Sequence, residues 1–102
     1  MKKPTQAQID EWKKRYGEVH QITVDDMVCY VRPIKRIHID HATVQATDKK
    51  GRFQPMKFNE ILLRDIWIDG DREIFDNDDY FMAVIDQMDE LKEEKVAKLK
   101  KL

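Results

Sequence analysis

Apolar residues at helical spacing open the chain: Ile9, Trp12 and Tyr16 follow a Thr5/Gln8 pair placed three residues apart. That pair is a capping box, in which each side chain satisfies an amide that a helix start leaves without a partner. Gly17 then suits the C′ position, because it reaches positive φ without steric penalty. The spacing predicts a helix over 6–16, with Lys13, Lys14 and Arg15 on its outer face. Two β-rich runs follow, Glu18 to Val24 and Met27 to Arg32, around the acidic pair Asp25-Asp26. They read as a hairpin over 18–32, since Asp side chains bond nearby amides in tight turns. The second run is apolar on both faces, so a helix should cover it on at least one side.

Beyond Pro33 the periodicity is mixed. Ile34, Ile37, His41 and Val44 share one helical face, yet β-branched residues favour strand. Helix is the reading for 34–47, with strand left open. Residues 48–52 form a polar connector. Pro55 opens a helix over 55–67, with Phe58, Ile61, Leu62 and Ile66 inward and Trp67 and Ile68 extending the apolar surface to Gly70. The acidic stretch Asp69 to Asp79 reads as loop. Asn77 caps a closing amphipathic helix over 78–100, in which Phe81, Val84, Ile85, Met88, Leu91, Val96 and Leu99 form the apolar stripe. Acids in its first turn and lysines in its last turns match the helix dipole. Its ~22 residues would reach about 33 Å, more than so small a core needs. Leu91 to Leu99 should therefore project.

The pattern specifies an α+β domain: an N-terminal helix, a small antiparallel sheet, and a mostly helical C-terminal half. A length of 102 residues leaves room for one core. Nineteen basic and twenty acidic residues give a net charge of -1, which argues against general nucleic-acid binding. Cys29 is the sole cysteine, so an intrachain disulfide and a cysteine-based zinc site are both excluded. Set in the run Met27-Val28-Cys29-Tyr30-Val31, it reads as a small buried hydrophobe. No apolar run approaches the ~20 residues of a membrane span, and no apolar segment follows the basic amino terminus. The expected location is the cytoplasm.

Candidate chemistry is thin. His38 and His41, at i and i+3 with Asp40 between them, could share a metal, but no third ligand lies nearby in sequence. Aligning Gly70 with position 6 of an EF-hand loop puts Asp65 and Asp69 at positions 1 and 5. Trp67 then falls at position 3, Arg72 at position 8 and Asp76 at position 12, so the calcium register fails. The sequence has no serine and no phosphate-cradling glycine loop. No catalytic residue, metal or cofactor is expected.

Four features in fixed order resemble the small tail assembly chaperones of long-tailed bacteriophages and prophages. They are the strand and its exit, Val28 to Pro33; the helix Pro55 to Leu63; the turn Trp67-Ile68-Asp69-Gly70-Asp71; and the capped helix from Asn77-Asp78-Asp79-Tyr80-Phe81 out to Leu99-Lys100-Lys101-Leu102. The turn is similar to the family's Trp-Leu-Gly-Gly-Asp type, with Asp69 in place of the first glycine. The resemblance implies a binding role in the bacterial host cytoplasm: coating an apolar, helical tape-measure protein until tail-tube subunits polymerise around it. Flexible Met27, Met56, Met82 and Met88 suit imprecise partners, and helix-in-groove contact is the expected mode. The expected binding surface is Met88, Leu91, Lys92, Lys95, Val96 and Leu99, with Trp67, Asp69, Gly70 and Asp71 as an acidic patch.

Two alternatives belong to other classes. One is a small regulatory or host-takeover protein that binds nucleic acid through Lys13-Lys14-Arg15, Arg32, Lys35-Arg36 and Lys49-Lys50-Arg52. The other is a homo-oligomer whose closing helices pair.

Overall fold

A computed structural model describes residues 3–92 and 97–102, apart from the side chain of Lys92. The architecture is α+β. Helix α1 (Gln6–Tyr16) begins on the expected capping box, with the Gln8 amide donating to Thr5 Oγ1 at 3.2 Å and the Thr5 amide to Gln8 Oε1 at 2.9 Å. Strands β1 (His20–Val24) and β2 (Met27–Val31) pair antiparallel from His20↔Val31 to Val24↔Met27. Asp25 takes the turn at φ 53°, a left-handed position that Asp tolerates. Then come α2 (Arg36–Ala46), α3 (Pro55–Ile66), a third strand β3 (Trp67–Gly70), a one-turn α4 (Glu73–Asp76) and α5 (Asp78–Met88).

The sheet has the order β1-β2-β3, and β2 is its central strand. Cys29 and Val31 are fully buried on one face. On the other face Tyr30 lies under α1, its ring 5.5 Å from that of Trp12. This is the helix cover that an apolar run on both faces requires. The core joins those residues to Leu62, Leu63 and Ile66 of α3, Ile74 of α4, and Val84 and Met88 of α5. Each fully buried aliphatic side chain of this kind contributes roughly 1.5–3 kcal/mol.

Helix α2 meets α3 through small residues. Ala42 and Ala46 are fully buried, and His38 is 8% exposed. These lie at i, i+4 and i+8, a stripe thin enough to bring two helices close. The β-branched face bearing Ile37, His41 and Val44 therefore points to solvent.

Two departures from the pattern concern the C-terminal half. The segment after Trp67 is not a loop. Trp67–Gly70 pairs with β2 at Cys29↔Gly70, Tyr30↔Asp69 and Val31↔Trp67, with a bulge between Tyr30 and Val31, and α4 follows. The polar composition of Asp69 to Asp79 hid a short edge strand held by backbone bonds, and Ile74 is its one buried anchor. The second departure is in the closing helix, whose α-helical part ends at Met88. A 3-10 turn, Asp89–Lys92, follows, and residues 97–102 have no regular secondary structure. Asp86, Asp89 and Glu90 crowd an end where the dipole disfavours negative charge. The tighter turn also eclipses positions i and i+3, which sets Leu91 over Met88 and buries both.

Gly70 fixes the β2–β3 contact. A Cβ there would lie 2.6 Å from Cys29 Cα and 2.7 Å from the Val28 carbonyl oxygen, and its φ is +151°. Gly51, also at positive φ (+79°), has open space around it. Gly70→Ala should cost about 3 kcal/mol or more, combining overpacking with backbone strain, and Gly51→Ala only about 1–2 kcal/mol. Urea unfolding of the two variants measures the difference.

Candidate functional site

The expected binding surface divides when placed on the fold. Met88 and Leu91, 2% and 8% exposed, belong to the core and are no contact surface. Leu99 is fully exposed. Lys95, Val96 and the side chain of Lys92 lie outside the described residues. The periodic stripe suggested one continuous surface, but the chain leaves α-helical geometry inside it.

The Trp67-to-Asp71 turn holds the sheet together. The Asp71 amide donates to the Val28 carbonyl at 2.9 Å, and the Val28 amide donates back to Asp71 Oδ2 at 2.9 Å. That backbone donor holds the Asp71 carboxyl below the usual carboxylate range. Asp69 is exposed and accepts from the Gly70 amide. Trp67 is half-buried, its ring 4.8 Å from Phe75.

His38 and His41 are drawn into separate tasks. His38 Nδ1 accepts from the Lys35 amide at 2.9 Å, a cap on the start of α2. Burial, with Arg32 and Lys35 nearby, lowers its pKa, so the ring is neutral at pH 7. His41 Nδ1 sits 2.6 Å from Asp65 Oδ2 on the helix's exposed side. The described residues include no cluster of three side chains that could hold a metal. The Cys29 thiol, buried and near Asp71, is pushed up to about 12, far from the thiolate a nucleophile needs.

Three arginines of the basic segments, Arg15, Arg32 and Arg52, are already engaged. Arg32 donates to the Asp65 carbonyl at 3.0 Å and lies over the Tyr16 ring at 5.3 Å. Arg52 pairs with Asp48 at 2.9 Å and Arg15 with Glu11 at 3.5 Å.

The feature best shaped to receive a ligand is a groove of about 350 Å³ between α3 and α5, lined by Met56, Glu60, Phe75, Asp78, Phe81 and Met82. Local chemistry builds each wall. Pro55 starts α3 and places Met56 and Glu60 one turn apart. Asn77 starts α5 by accepting from the Tyr80 amide at 3.2 Å, which places Asp78, Phe81 and Met82 along the opposite wall. Phe75 forms the floor, 4.8 Å from Trp67 and 6.4 Å from Phe81. Met56 and Met82 remain 50% and 44% exposed, large apolar side chains left at the mouth. Glu60 pairs with Arg64 at 2.9 Å, and Arg64 also lies 6.0 Å over Phe75. Asp78 marks the acidic side of the rim. The larger hollow along α1, lined by Ala7, Asp10, Glu11, Lys14 and Arg15, is the solvated face of one helix and holds no aromatic or large aliphatic side chain.

Met56 and Met82 stood out in the sequence for flexibility alone. Their meeting across a groove depends on how α3 and α5 pack, which periodicity within either helix does not encode. No family model, curated protein or solved structure matches the chain.

Two outcomes follow. Leu91→Glu places a carboxylate in the core and should destabilise the fold by about 2–4 kcal/mol, read as a lower urea midpoint. His38, with a folded pKa below its unfolded value of about 6.5, favours folding while neutral. Its contribution is complete above about pH 6.5 and declines as pH falls from there toward the lower folded value. His38→Ala should weaken the fold at pH 7.5 by about 1 kcal/mol through the lost cap and flatten the decline below pH 6.5. Urea titrations across that range measure both effects.

Proposed function

We propose that this chain is a protein-binding module of the tail-assembly-chaperone kind it resembles, and that it holds an apolar helical segment of a tape-measure-like partner in the α3–α5 groove. One observation carries the reading: two exposed methionines, one from each helix, line a single groove beside the tilted rings of Phe75 and Phe81. Thioether side chains repack at low cost, so such a groove accepts a family of apolar helices rather than one sequence. The helix-in-groove mode needs apolar anchors at i, i+3, i+4 and i+7 on the partner and no chemistry from the receptor. The buried thiol of Cys29 and the separated histidines are consistent with binding rather than catalysis. The contact surface thus moves from the end of the closing helix to the groove beside its first turns. Tail-tube subunits, the second partner the resemblance implies, would displace this chain from the helix as they polymerise.

Calorimetry with the full-length chain and a synthetic amphipathic helical peptide bearing Leu at i, i+3, i+4 and i+7 tests the reading. Met82→Lys should weaken binding at least tenfold while thermal stability stays near that of the parent, because the side chain is exposed. Ile37→Lys, on the outward face of α2, should leave affinity unchanged. No binding, or equal loss in both variants, would sink the proposal.

A further inference from the structure

We propose that the groove also receives the lysine–leucine tail, residues 97–102, of a second copy of this chain, an inference that rests on the groove reading above. The tail reads Ala97-Lys98-Leu99-Lys100-Lys101-Leu102. Leu99 and Leu102 are the two most exposed large hydrophobic residues described, at 102% and 107% of their reference surface. Two leucines fully in water within six residues form an apolar surface with no cover. Residues 97–102 have no regular secondary structure when free, but in a helical turn formed on docking their i, i+3 spacing would put both leucines on one side, the arrangement a short groove can take.

Charge supplies the match. From Asp69 to Glu90 the chain carries nine acidic residues and one basic residue, Arg72, and this segment builds the floor and one wall of the groove. The tail carries three lysines and no acid. An apolar cleft with Asp78 on its rim, in a segment of that charge, complements a cationic segment with two leucine anchors, and opposite charges on docking surfaces favour encounter and orientation. Within one chain both tail leucines are fully exposed and uncovered. Groove and tail are different surfaces, so the contact is head-to-tail: it closes if two copies exchange tails reciprocally, and extends into a chain if they do not.

Sedimentation velocity over a hundredfold concentration range, at low and high salt, tests this. The expected result is a sedimentation coefficient that rises with concentration at low salt and falls back as salt screens the lysines. The double variant Leu99→Glu/Leu102→Glu should stay monomeric, and so should Met82→Lys. An equal mixture of the two should associate again, because one brings an intact groove and the other an intact tail. A monomer at every concentration, or association that survives either variant, overturns the inference. The double variant separates this outcome from failure of the functional reading. If it still binds the helical peptide of the previous subsection while the parent stays monomeric, the tail contact alone falls. If the parent associates through groove and tail but binds no helical peptide, the tail contact stands and the chaperone-type reading falls.

Discussion

Gly70 lies so close to Cys29 that a single added carbon would sit within 2.7 Å of both Cα and Cβ of that residue. Much of the C-terminal half is positioned by this approach. It holds β3 against β2, and the paired bonds between Val28 and Asp71 extend the register by one residue. With that edge fixed, α3 must end at Ile66 and α4 must begin within three residues of Gly70. Ile74 is thereby delivered to the core and Phe75 to the groove floor. The one-turn α4 is too short to be stable by itself. It persists because the strand before it and Asn77 after it leave the chain little other path.

The groove inherits its character from that geometry. Its walls come from helices whose start signals are local, Pro55 and Asn77, while its floor comes from a residue placed by the sheet. Polar residues on this connection keep the segment solvated, and their negative charge suits the first turn of α5. The same charge biases which helical or cationic segments can approach Met56 and Met82.

Much of this was legible in the chain. Thr5 and Gln8, Asp25 and Asp26, Pro55 and Asn77 are start and turn signals whose mechanism is local, and an element begins or turns at each, although the α-helix that Asn77 starts ends at Met88. Helix α2 also forms, despite its β-branched residues, because Ala42 and Ala46 let it pack closely on α3. Tertiary arrangement was harder to read. Trp67–Gly70 pairs with a partner about forty residues earlier, and the glycine that permits it resembles a helix stop. Leu91 fits the periodic stripe of a long helix, yet a tightened turn returns it to the core. Ile74-Phe75, a lone apolar pair set between acids, gives no periodic signal, so the groove cannot be assembled from sequence alone.

In the proposed role, Met56 and Met82 form one binding surface. Methyl NMR of the full-length chain, with methionine methyls labelled and an amphipathic apolar helix titrated in, observes it directly. The Met56 and Met82 signals should move together and saturate at the same peptide concentration, while buried Met88 stays in place. Shifts confined to other methionines, or none at peptide concentrations that saturate the chain by calorimetry, would contradict it.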